Sequence, residues 1–320
     1  MPSFKTVVLS ALAAAVSVSA LPSSVKLTER QLQYHELARR QNAGAAAAGL
    51  NDFDILQFAL TLEHLEETFY RTGFQKFPDS DFAALGLSVQ TIADLKQIGQ
   101  TEAEHVTFLQ SALAQSGVTP VLPCQYNFGF TDAAGMVATA GILEAVGVSA
   151  YLGAAPLLAS PALLGAAGSI LTIEARHQSS IRVFGASPAI PSAFDVPLTP
   201  RHVFSLAAPF ITSCPDGSNL KVQAFPTMAL AEGIQAASVS IGTSVRFTSS
   251  AASGATHCAF TAGGLAPGGT KFTPFTEAQG CDVPEGVNGV TYVSLTNAGP
   301  LTGALTDDIT VAGPMAMVLS

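Results

Sequence analysis

From Asn51 to Phe184 the chain reads as four long blocks, in three of which apolar residues recur every three or four positions, the spacing of one helix face. The first block predicts a helix from about Asp52 to Phe74, capped by Asn51 or Asp52 and closed near Gly73. On it Leu56, Ala59, Glu63, Glu66, Glu67 and Tyr70 share a side. The second predicts a helix from Ser88 to Ser116. Its seam is Ile92, Leu95, Ile98, Glu102, His105, Leu109 and Leu113, with Glu104 left toward solvent. The fourth starts at Ser160-Pro161, an N-cap followed by proline at the first helical position, and runs to Phe184 before Gly185. Leu163, Ala167, Ile170, Glu174, His177 and Ile181 form its stripe.

The third block, about Asp132 to Leu158, is apolar all round, and from Ala133 to Ile173 Glu144 is the only charged residue. Gly135 to Leu158 is long enough for a membrane span, but Glu144 in mid-span and Pro156 favour a fully buried bundle helix. A lone carboxylate there costs several kcal/mol unless it is protonated, paired or metal-bound. The linker from Gly117 to Thr131 is the longest in the block, which suits a bundle with one long crossover.

After Pro188 the pattern changes to Pro, Gly, Ser and Thr with short alternating runs: Ser238 to Phe247, His257 to Thr261 and Gly289 to Leu295. Pro267-Gly268-Gly269, Pro284-Glu285-Gly286 and Asn288-Gly289 supply turns between them. The expected fold class is multidomain α and β. A four-helix bundle over 50–186 is followed by a connecting loop region, 187–223, and an all-β, sandwich-like domain, 224–320. His202 and His257 stand alone and read as structural, and Asp307-Asp308 as a solvated turn.

With 320 residues, 48% hydrophobic and 12% charged, the chain can bury a core of two-domain size. A net charge of −9 without a basic cluster argues against nucleic acid or an anionic membrane as partner. Lys5, the apolar run Val7 to Val18 and Val18-Ser19-Ala20 have the layout of an export signal over 1–20. The segment 21–49 reads as propeptide and linker, with Arg39-Arg40 before a Gly/Ala stretch, so the mature chain would begin at Leu21 or near Gln41. A secreted protein with four cysteines is expected to form two disulfides, with three connectivities open. Cys258 and Cys281 share one β-rich segment and are the expected pair, which leaves Cys124 for Cys214. The sequence has no Asn-x-Ser/Thr sequon.

The candidate chemistry lies on the core faces of the four helices. Glu63 precedes Tyr70 by seven residues, and Glu144 precedes Tyr151 by the same interval. Glu102 with His105, and Glu174 with His177, are Glu-x-x-His pairs, whose spacing turns both side chains to one face. Four carboxylates and two imidazoles can hold two cations. Carboxylate oxygen with some imidazole favours iron or manganese over metals that need thiolate.

These motifs resemble the ferritin-like superfamily, in particular secreted fungal stress-response ferritin-like proteins and plant desiccation-related proteins. The resemblance is carried by LEHLEETFY (Leu62 to Tyr70), QTEAEHVTFL (Gln100 to Leu109), GILEAVGVSAYLG (Gly141 to Gly153) and TIEARHQSSIR (Thr172 to Arg182). It implies Glu63, Glu102, His105, Glu144, Glu174 and His177 as ligands of two Fe or Mn ions, with Tyr70 and Tyr151 beside the centre. The expected function is redox chemistry on dioxygen, peroxide or ferrous iron, catalase-like or ferroxidase-like, in a secreted protein. The alternative is a non-enzymatic extracellular or cell-wall stress protein, with the bundle as scaffold and the β domain for binding.

Overall fold

Four side-chain caps start the four long helices. Asn51 opens α1 (Asp52–Lys76) with a capping box: its Oδ1 accepts from the amides of Phe53 and Asp54, and Asp54 accepts from the Asn51 amide. In this computed structural model the described residues are 28, 49–265, 269–300 and 303–319, so the expected export signal, the dibasic pair and the 267–268 turn lie outside them. A short α2 (Asp79–Ala84) precedes α3 (Val89–Gln115), capped by Ser88. Asp132 caps α4 (Ala133–Ala154), and Ser160 caps α5 (Pro161–Phe184). The helix ends thus fall within a few residues of the expected ones.

Packing follows the crossover expectation. α1 lies against α3 and α4 against α5, and the long connection runs between the two pairs. The Asp52 carboxylate accepts from the Ala159 and Ser160 amides, tying the start of α1 to the α4–α5 turn. Every residue from Leu143 to Tyr151 is buried, which accounts for the apolar composition of α4. The segment Ala133–Leu157 is long and apolar enough to cross a membrane, and here it runs through the protein core.

The connecting region holds a helix that the pattern does not predict, α6 (Pro200–Ala207), capped by Thr199. It also contributes β2 (Ile211–Ser213), which pairs antiparallel with β1 (Gln125–Tyr126) from the crossover. Beside that pair lies the Cys124–Cys214 disulfide; the second disulfide is Cys258–Cys281, so both expected pairings form.

The C-terminal half is sheet-rich. Short antiparallel ladders join β3 (Ala229–Leu230) to β5 (Phe247–Thr248), and β4 (Ser244–Val245) to β8 (Cys281–Asp282). The main sheet is antiparallel with order β10-β9-β6-β7, formed by β6 (His257–Thr261), β7 (Thr270–Pro274), β9 (Gly289–Thr296) and β10 (Thr310–Leu319). Strand alternation divides β9 between two cores. Val293 and Leu295 pack with Phe260, Val245 and Phe247 in the β core, whereas Tyr292 points the other way into the bundle core. There its hydroxyl donates to the Ala145 carbonyl at 2.8 Å and meets Ser149 Oγ at 3.0 Å. Gly153 allows the approach from the loop side, because a Cβ there would lie 1.8 Å from the Leu198 carbonyl oxygen. The β half is thereby docked on α4, the helix that carries Glu144.

His202 and His257 take structural places. His202 Nδ1 lies 2.7 Å from Thr199 Oγ1 and its Nε2 2.9 Å from Thr310 Oγ1. His257 meets Thr256 Oγ1 at 2.9 Å. Asp307 accepts from Thr199 Oγ1 at 2.7 Å, so it is engaged with the α6 cap.

Candidate metal centre

Each long helix turns its acidic motif into the bundle axis. Glu63, Glu102, Glu144 and Glu174 are all fully buried, and His105 and His177 nearly so. Their ligand atoms form two groups, each within 4.8 Å: Glu63, Glu102, His105 and Glu174, then Glu102, Glu144, Glu174 and His177. Glu102 and Glu174 belong to both. All six expected ligand residues are therefore brought to one place, arranged as two donor sets that share two carboxylates.

Both imidazoles present Nδ1 to the centre. His105 Nδ1 lies 3.2 Å from Glu63, 3.1 Å from Glu102 and 3.3 Å from Glu174. His177 Nδ1 lies 2.7 Å from Glu102 and 3.1 Å from Glu144. On the far side of its ring, His177 Nε2 meets Thr101 Oγ1 at 2.9 Å. The Thr101 hydroxyl is already donated to the Ile98 carbonyl at 2.6 Å, so it accepts the Nε2 proton. That bond fixes the tautomer in which Nδ1 is free to ligate a cation.

The two tyrosines cross over. Tyr70 on α1 donates to Glu144 on α4, and Tyr151 on α4 donates to Glu63 on α1. Gly99 on α3 makes room for Tyr70, since a Cβ there would sit 2.7 Å from the Tyr70 Cβ.

So many buried acids cannot all stay ionised without cations. Burial first, then the Glu144 charge, pushes Glu102 up to about 7 against its contacts with His105 and His177. Burial and the neighbouring carboxylates drive Glu174 well above the usual carboxylate range. Burial pulls the histidines down, but contacts with Glu102, Glu174 and Glu63 outweigh it for His105, which rises to about 12. For His177, Glu102 and Glu144 outweigh burial and raise it to about 10. Protons and cations would thus compete for the same cluster.

The donor set fits metal. Glu102 Oε1 and both Glu174 oxygens are buried yet accept no hydrogen bond of proper geometry; the 2.7 Å approach of His177 to Glu102 Oε1 is a close contact only. Gly147 on α4 clears space for Glu174: a Cβ there would fall 2.6 Å from its Oε2. Four ligand carboxylates also match in charge two divalent cations.

A further acid lies at the edge of the centre. Glu66 is 4% exposed and lies near Glu174, on the other side of the Gly147 clearance. Burial, then the charges of Glu174 and Glu102, raises it well above the ordinary value. Its place one turn after Glu63 on the same helix side is the sequence signal for it. Glu67 instead pairs outward with Arg71 at 2.7 Å, and Glu104 is exposed as expected.

Residues 51–185 match the ferritin-like domain family, and this segment is a ferritin-like domain with a buried Glu/His cluster able to hold metal ions. Over 180 residues the chain is 26% identical to "Protein rds1" of Schizosaccharomyces pombe, covering 56% of this chain and 44% of that protein. It thus spans less than half the length of that relative. A crystal structure of a conserved hypothetical protein, rv2844, from Mycobacterium tuberculosis aligns with 48% of this chain and 99% of its own, at 20% identity and a TM-score of 0.35.

Proposed function

We propose that this chain is a secreted redox protein that works with two iron or manganese ions in the bundle centre, in defence against oxidative stress. The observation that carries the reading is the pair of donor sets sharing Glu102 and Glu174. Glu63 with His105 would serve one ion, Glu144 with His177 the other, and Glu102 with Glu174 both. Bound there, such ions would supply electron exchange with dioxygen, peroxide or ferrous iron as substrate. The protein's own part is to hold the site in place. Tyr70 and Tyr151 fix the outer carboxylates, Thr101 orients His177, and full burial of the four glutamates keeps bulk water off the centre. Two disulfides are compatible with an extracellular location, and the signal-like N-terminus supports secretion.

Mixing protein loaded anaerobically with ferrous ion, or with Mn(II), with dioxygen or hydrogen peroxide tests the proposal. Wild type is expected to consume one of the oxidants, and a Glu174→Ala variant to consume neither above the rate of free metal. Equal consumption by both proteins, or by neither, would refute it.

A further inference from the structure

A cavity of about 230 Å³ opens between the bundle and the β half, bounded by α1, α4, α6 and β10. Its walls are apolar: Leu65, Leu143, Val146, Phe210, Met228 and Met315 are among them. Among the described residues, Glu66 is the only charged one in the lining. Its carboxylate is almost wholly buried and makes no hydrogen bond to any described residue. Ser205, a polar neighbour in the wall, is already committed: it donates to the Arg201 carbonyl and accepts from the Phe225 amide. Glu66 and Gly147 thus form the floor, and behind them stands Glu174 of the centre.

We infer that this cavity binds a small, neutral, apolar molecule with one hydroxyl-type polar end, held with that end on Glu66 next to the metal centre. The lining chemistry selects this class. An anion would be stripped of water among apolar side chains, with no lysine, arginine or histidine among the described lining residues to receive it. A purely apolar molecule would leave the Glu66 carboxyl without a partner. The volume lies below the roughly 300–1,000 Å³ of sites for drug-sized ligands, so the occupant is small. As an assignment of substrate class this rests on the di-metal reading above; as a binding site it does not.

The test uses 2-naphthol and 2-naphthoate as neutral and anionic probes on the full chain, read by probe fluorescence anisotropy, which is clean because the chain lacks Trp. Two variants fill the cavity from half-buried wall positions, Ala316→Phe on β10 and Leu206→Phe on α6. Circular dichroism checks their folding, and metal content is measured on every sample. Wild type is expected to bind 2-naphthol at least tenfold more tightly than 2-naphthoate. Each folded variant should lose at least tenfold in 2-naphthol affinity with metal content unchanged. No 2-naphthol binding by wild type, equal binding of the anion, or undiminished affinity in the folded variants would overturn the inference. Binding by wild type that takes up no metal, even after anaerobic ferrous loading, upholds the cavity and counts against the di-metal reading instead.

Discussion

Tyr70 on α1 donates its hydroxyl hydrogen to Glu144 on α4, and both side chains lie in the bundle core. Tyr151 and Glu63 repeat the relationship in the opposite direction between the same two helices. The crossed pair ties each outer carboxylate of the centre to the helix across from it, so ligand geometry and helix packing are set by the same two bonds.

Removing one of these hydroxyls should therefore affect both. In Tyr70→Phe, Glu144 loses a buried donor, at a cost of about 1–3 kcal/mol. Metal affinity is expected to fall roughly 10- to 100-fold, as for other partners that orient a ligand. Chelator competition and a denaturant midpoint check the two effects. Unchanged metal affinity would show that the bond plays no part in holding the ligand.

Gly147 makes a sharper case, because glycine there is needed for space. In Gly147→Ala the new methyl would meet Glu174 Oε2 at 2.6 Å and Glu66 Oε1 at 3.1 Å. The shared carboxylate must move. Bound metal is expected to drop by at least about tenfold while helix content stays near wild type, since alanine favours a helix interior. Metal analysis and circular dichroism on the same sample check it.

The pH behaviour follows from that competition. In the metal-free protein Glu102 has its folded pKa raised to about 7 from an ordinary 4.5. A raised carboxyl contributes stability that is complete below about 4.5 and lost as pH rises through about 7. His105 and His177, raised to about 12 and about 10 from an ordinary 6.5, contribute stability that is complete below about 6.5 and lost as pH rises through those values. Metal ligation must displace both imidazole protons. Protons on Glu102 and Glu174 must leave as well, so apparent affinity is expected to rise by at least about 100-fold per pH unit between about pH 6 and 8. Calorimetry in buffers of different ionisation enthalpy should show proton release on binding, and none would contradict the assignment of either histidine.

The Cys124–Cys214 bond ties the crossover between α3 and α4 to the strand that follows α6, closing a loop of 90 residues. Chain entropy puts the effect of such a closure at roughly 4–5 kcal/mol. The Cys124→Ser/Cys214→Ser double variant is expected to unfold at clearly lower denaturant. An unchanged midpoint would mean that the β1–β2 ladder alone holds the crossover.

The helical half was legible in sequence because its signals are local. Asn51, Ser88, Asp132 and Ser160 cap by bonding to backbone amides two or three residues on, and Glu-x-x-His places both side chains by helix geometry alone. What packing decides was harder to read. Glu66 and Glu67 are adjacent, and the space beside Gly147 takes Glu66 inward while Arg71 draws Glu67 out. α6 has eight residues, too few for a clear helical period, although Thr199-Pro200 has the form of a cap. The strands of two residues carry no alternation to read, and the docking of Tyr292 on Ala145 joins positions 147 residues apart.

Metal content is the most direct test of a two-ion centre. The protein, purified without chelators or a His tag, would be analysed by mass spectrometry beside a Glu144→Ala variant. About two iron or manganese ions per wild-type chain, with loss in the variant, is the expected result. No bound metal in wild type, even after anaerobic ferrous loading, would contradict the account.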